Sequence, residues 1–211
     1  MRLINTIEVA PYDYAKNEYE LPNTTSALAP SEWKEFWLKC LTDSNLGGLK
    51  SIRDGSYLVD IETLKIEEIV EILKKELQNI EFDDFADQVE HLCGGVAIEL
   101  GSEIVIEPSC CGDLGNLSDW EHICDAGIGV WQQLWIGHPW IFYRRINNSI
   151  EFSEYSDLNL EDFKDIKAIY TIPEAALAEE LRKMRRAQND FADKVYQALV
   201  AIKNAGAKSI S

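Results

Sequence analysis

Three of the chain's five cysteines gather near an aspartate and a histidine: Cys110, Cys111 and Asp113 in Pro108-Ser109-Cys110-Cys111-Gly112-Asp113-Leu114-Gly115, and His122 and Cys124 close behind. Thiolates and imidazoles are nucleophiles and ligands for soft metals, so three chemistries are open there. A zinc site would draw on Cys111, His122, Cys124 and His138. Its spacing is unusual, because zinc ligands commonly pair two to four residues apart, whereas here two cysteines are adjacent and a His-x-Cys pair follows. A thiol hydrolase would use Cys110 or Cys111 ahead of a helix opening at Ser118, with His122 or His138 as base and Asp113 orienting that base. In the third reading Gly112, Asp113, Gly115 and Asn116 are turn residues between a strand closed by Pro108 and a capped helix, and the cysteines are small packing groups. This last reading accounts for the glycines and the proline as well as the cysteines.

Five cysteines at irregular spacing do not form the framework of a secreted disulfide-rich domain, so thiols are expected. A bond between Cys110 and Cys111 is not expected, since neighbouring Cα atoms lie about 3.8 Å apart, closer than disulfides normally span. The chain also lacks a P-loop, a Gly-x-Gly-x-x-Gly turn, a Gly-x-Ser-x-Gly elbow and a His-Glu-x-x-His helix.

The elements that position this stretch follow from periodicity. Val96, Ile98 and Leu100 alternate, Gly101-Ser102 turns the chain, and Ile104 and Ile106 return, which predicts a hairpin running into the cysteines. Ser118-Asp119-Trp120-Glu121 has the pattern of a capping box and predicts a short helix carrying His122 and Cys124. Strands are expected at 129–136, 140–146 and 150–155 as an antiparallel meander, with Trp140 and Phe142 on one face and Ile141 and Tyr143 on the other. Its aromatics Trp131, Trp135, Trp140 and Tyr143 are the candidate binding residues, since such side chains anchor interfaces when exposed.

Upstream, Ser31 is expected to cap a helix from Glu32 to about Asn45 whose apolar face holds Cys40. A short strand follows at 56–61 and an amphipathic helix at 63–79. The acidic run with Asp83, Asp84, Asp87 and Glu90 lacks the ligand order of a calcium loop and reads as a solvated helix face, with His91 at its boundary. At the other end, Thr171, Pro173 and Glu174 suggest a second capping box opening a helix to about Asn204. Leu177, Leu181, Met184, Gln188, Phe191, Val195, Ala198 and Ile202 form a heptad-like stripe along it. The expected fold is α+β, with a central antiparallel sheet, flanking helices and a long C-terminal helix. Residues 1–170 would form the α+β domain, and helix 171–211 would lie on it or serve self-association as a homodimer seam.

Composition bounds the partners. A content of 46% hydrophobic and 10% aromatic residues over 211 positions supports a buried core. The net charge is −17. Residues 174–211 hold seven Lys/Arg against five Asp/Glu, which leaves −19 on residues 1–173. Such a body repels phosphate backbones and anionic lipid and steers basic proteins, so neither nucleic acid nor membrane is expected as a partner. No cofactor is expected, and the absence of a signal-like or membrane-spanning apolar run makes the cytosol the expected compartment.

The order of hairpin, Ile106-Glu107-Pro108-Ser109-Cys110-Cys111-Gly112-Asp113-Leu114, Trp120 and a tryptophan-bearing strand resembles the core of SUKH-type bacterial immunity proteins over residues 94–155. The amino-terminal leucine-proline helix entry usual in that superfamily is not recognisable. The resemblance implies a cytosolic α+β protein that neutralises a toxin partner, with basic nucleases among the targets, and it transfers no contact residues. Two functions are therefore expected to compete: a non-enzymatic immunity or binding protein for a basic partner, and a thiol- or zinc-dependent hydrolase centred on Cys110, Cys111, Asp113 and His122.

Overall fold

Apolar alternation and proline punctuation set the elements seen in a computed structural model, which describes residues 1–79, 92–163 and 165–208. The strands are β1 (Arg2–Glu8), β2 (Leu58–Asp60), β3 (Gly94–Leu100), β4 (Glu103–Ile106), β5 (Trp131–Leu134), β6 (Trp140–Ile146), β7 (Ser149–Ser156) and β8 (Tyr170–Pro173). The helices are α1 (Pro11–Tyr14), α2 (Pro30–Thr42), α3 (Ile66–Glu76), α4 (Leu117–Glu121) and α5 (Glu174–Lys208). The fold is α+β, and its strands are antiparallel in two sheets. Residues 1–7 and 92–187 form one compact unit, and residues 8–91 and 188–211 form another.

In the first unit β1 pairs with β3, placing Leu3 opposite Ile98 and Asn5 opposite Val96, and β3 pairs with β4. The hairpin is present, with a correction inside it: the register shifts at Ile98/Glu99, and the extra residue Val105 packs against the core. A bulge places two residues opposite one, so strict alternation through Ile104 fails there. The second sheet is the meander β5-β6-β7-β8. Trp120, Ile141, Tyr143, Phe152, Leu177 and Leu181 share one core with Val96 and Ile98. Phe142 is buried on the opposite face of β6, its ring 5.3 Å from that of Phe163. Each such side chain contributes about 1.5–3 kcal/mol on leaving water, which is what holds the sheets and α5 together within this unit.

Three caps differ from the sequence reading. Pro30 opens α2 with Ala29 as its N-cap, because proline's fixed φ already suits the first helical position, so Ser31 lies inside the helix. Asn116 precedes α4, and Ser118 Oγ donates to Gly115 O at 3.1 Å instead of capping. Thr171 sits in β8 opposite Glu151 rather than in a capping box, and Pro173 closes that strand opposite Ser149. The ladder with β7 uses the backbone that the box would have needed.

The stripe on α5 is covered within its own chain. Leu177, Leu181 and Met184 belong to the core of the first unit, where Leu3 N–H donates to Glu180 Oε2 at 3.0 Å and Asn5 Nδ2 donates to Met184 O at 3.0 Å. In the second unit Phe191 and Ala198 are buried, and Lys194 Nζ donates to Leu64 O at 3.0 Å. That unit also buries Trp37, Cys40, Val59, Ile61, Ile69 and Ile72, and Trp37 Nε1 donates to Val9 O at 2.8 Å. The acidic run with Asp83, Asp84, Asp87 and Glu90, and His91, lie outside the described residues.

Two basic side chains of α5 are ion-paired, Lys183 with Glu179 and Glu180 and Arg185 with Glu121. Arg185 reaches Glu121 with Nε at 3.0 Å and a terminal nitrogen at 2.5 Å, and its hydrogen bonds hold the Glu121 carboxyl below the ordinary glutamate range. Both side chains are more than a third exposed, so the pair contributes about 0.5 kcal/mol. A depressed folded pKa contributes stability above the unfolded value that is lost as pH falls through the folded one. Glu121→Gln is therefore expected to cost about 0.5 kcal/mol at neutral pH and nothing in acid below the glutamate range, measured by urea melts at both.

Candidate functional site: an aromatic face beside a thiol turn

Pro108 cannot donate to a ladder, so β4 ends and the chain turns at Ser109–Gly112, where Gly112 N–H donates to Ser109 O at 3.1 Å. Cys110 and Cys111 take the two central positions. Cys111 is left-handed, with φ of 68°, at the turn position where glycine or asparagine is usual. Backbone bonds tie the turn on two sides: Ser109 N–H to Ile136 O and His138 N–H to Cys110 O, each at 2.8 Å, and Gly94 N–H to Gly112 O at 2.9 Å. Both cysteines are exposed, and their sulfur atoms lie 3.2 Å apart.

Of the other candidate groups, His138 is tied to this turn by its backbone bond to Cys110 O, while Asp113, His122 and Cys124 have other surroundings. Asp113 caps the 3-10 turn Leu114–Asn116, its Oδ1 accepting from Gly115 N–H at 2.5 Å, so its carboxylate serves the turn rather than a base. His122 ends α4 and lines a cleft of about 300 Å³ with Asp119, Gln133, Leu134, Trp135 and Tyr143. Cys124 is half-buried, and burial, followed by the nearby Glu174 carboxylate, pushes its thiol pKa up. That disfavours the thiolate a zinc ligand or nucleophile needs. Among the described residues no group of three or more His, Cys, Asp and Glu is placed to hold a metal ion, so Cys111, His122, Cys124 and His138 do not assemble as a zinc site.

His138 instead joins the aromatics. Its ring stands edge-on to Trp140 with centroids 4.9 Å apart, and its Nδ1 lies 3.6 Å from Asp157 Oδ1. Trp135 is 41% exposed, its ring 6.0 Å from Trp140. Trp140 is half-buried and oriented by a 3.0 Å bond from Nε1 to Leu158 O. Leu158 itself is 53% exposed, and Tyr155 is 38% exposed with its hydroxyl donating to Glu107 O at 3.0 Å and accepting from Glu107 N–H at 2.7 Å.

The four aromatics chosen from sequence therefore separate. Trp135 and Trp140 share one exposed face. Trp131 is half-buried beneath Arg144, whose guanidinium carbon lies 4.6 Å from the ring centroid and which Glu151 holds at 3.0 Å through Nε. Tyr143 is core at 5% exposure, its hydroxyl donating to Gln132 Oε1 at 2.9 Å, which corrects its placement as a binding anchor. Inward alternation on β6 explains this, because Tyr143 shares the core face with Ile141. Tyr155, Asp157 and Leu158 were missed by the sequence reading; an aromatic at a strand end ahead of an exposed Asp-Leu-Asn turn is the only signal they carry.

The chain matches no family, no curated protein and no solved structure. Among the described residues no helix is long and apolar enough to cross a membrane.

Proposed function

We propose that the chain is a non-enzymatic binding protein whose Trp135–His138–Trp140 face docks a basic protein, and that it works in the cytosol as an immunity protein against such a partner. The exposure of Trp135 beside an oriented Trp140 carries this reading, because tryptophans presented together outside the core are the side chains most often found as interface anchors. Charge selects the partner. The net charge of −17 attracts basic surfaces, Asp157 and Glu107 stand at the edge of the face, and indole rings favour Lys and Arg through cation–π contact. The resemblance of residues 94–155 to SUKH-type immunity proteins supports a toxin, with a basic nuclease as its chemistry. Coverage of the α5 stripe within the chain favours a different protein over a second copy.

The test compares partners co-purified by tagged wild-type protein and by Trp135→Ala/Trp140→Ala from the same cells, followed by titration of the purified captured protein at low and high salt. The expected result is a basic protein held by wild type, bound at least about thirtyfold more weakly by the variant and weakened by salt. Identical capture by both proteins, or an acidic partner whose binding ignores salt, would refute the proposal.

A further inference from the structure

We infer that Cys110 and Cys111 form a vicinal dithiol that oxidises reversibly by exchange with a small-molecule disulfide, a modification site that adjoins the docking face proposed above but does not depend on it. Extended backbone sends successive side chains to opposite faces, which keeps neighbouring thiols apart. Here the left-handed φ of 68° at Cys111 brings the two sulfur atoms to 3.2 Å, within direct contact. Both side chains face solvent, so a reagent reaches them. The turn cannot spread, since Ser109, Cys110 and Gly112 are each held by backbone bonds to Ile136, His138 and Gly94.

The chemistry balances. One thiol loses its proton to solvent, and its sulfur attacks the oxidant RSSR, forming a mixed disulfide and releasing RS⁻. The second thiol, losing its proton, then attacks the cysteine sulfur of that mixed disulfide, breaking its bond to the RS sulfur, closing the Cys110–Cys111 bond and expelling a second RS⁻. Two protein thiols become one disulfide, the two protons end on two RSH molecules, and RSSR is reduced. The sequence argument against this bond fixes its character: Cα atoms about 3.8 Å apart impose strain, so the closed ring is readily reduced and acts as a switchable state rather than a structural brace.

The experiment incubates the full chain with oxidised glutathione, alkylates remaining thiols and maps peptides by mass spectrometry, with phenylarsine oxide binding as a second readout. The expected product is one peptide carrying both cysteines, lighter by two hydrogens, free of glutathione and restored by dithiothreitol. Reduced protein should bind phenylarsine oxide one to one and oxidised protein should not. Cys110→Ser and Cys111→Ser, checked for folding by circular dichroism, should retain bound glutathione and lose arsenical affinity by at least about a hundredfold, the effect of losing a second linked ligand. Stable glutathione adducts on wild-type Cys110 or Cys111, or a disulfide to Cys93, would overturn the inference. The wild-type map decides the matter even if a variant fails to fold, and it is indifferent to whether the tryptophan face binds a partner.

Discussion

Gly137→Ala is expected to lower stability by about 3–5 kcal/mol and to expose the thiol turn. Gly137 has a φ of 100°, a conformation that side chains other than glycine's rarely adopt. An added Cβ would lie 2.3 Å from Cys110 O and 2.4 Å from Ser109 O. These are backbone atoms, so relief requires moving the segment that donates to Ile136 O and accepts from His138 N–H. Backbone strain of about 1–3 kcal/mol and two weakened bonds of about 1 kcal/mol each give the total. Gly101→Ala is the control, since Gly101 also has positive φ, at 69°, but nothing within 4 Å of the added atom. Its cost should be about 1 kcal/mol. Urea melts of the two variants, with alkylation rates at Cys110 and Cys111, separate the contributions; equal costs would show that the close approach is not what matters.

Trp120→Ala should cost about 3–5 kcal/mol, the range for removing a fully buried aromatic. Trp120 is the largest side chain of the first unit's core with no exposure, its ring 5.9 Å from Phe152. Its indole N–H has no hydrogen-bond partner among the described residues. Burying that donor already carries a penalty, so Trp120→Phe removes both ring volume and the unpaired group and should cost only about 1–2 kcal/mol. Denaturant melts of the two variants test this directly. A phenylalanine variant as unstable as the alanine one would mean that the indole nitrogen is satisfied after all.

The residues that folded as read are those whose partners lie on the same element. Val96 and Ile98 fixed the face of β3, and the heptad spacing of Leu177, Leu181 and Met184 fixed the face of α5, because alternation and helical period are local properties. What escaped depends on distant backbone. Thr171 and Glu174 satisfy a capping pattern, yet β7 offered Thr171 a ladder. Val105 joined the core only because the β3–β4 register slips at Ile98. The same limit applied at the site. Cys110 and Cys111 marked a turn, but the histidine joined to that turn is His138, delivered by a backbone bridge to Cys110, with its ring edge-on to Trp140. No spacing rule connects residue 110 to residue 138.

The two compact units are interleaved along the chain, in the order 1–7, 8–91, 92–187 and 188–211. Neither is encoded by one uninterrupted stretch of gene, so no single recombination event moves either of them intact into another protein. A deletion that removes 8–91 leaves residues 188–211 without the remainder of their unit, and truncation after 187 does the converse. Their inheritance is joint: drift in one half of the architecture must be tolerated by a chain that cannot exchange the other half for a fresh copy.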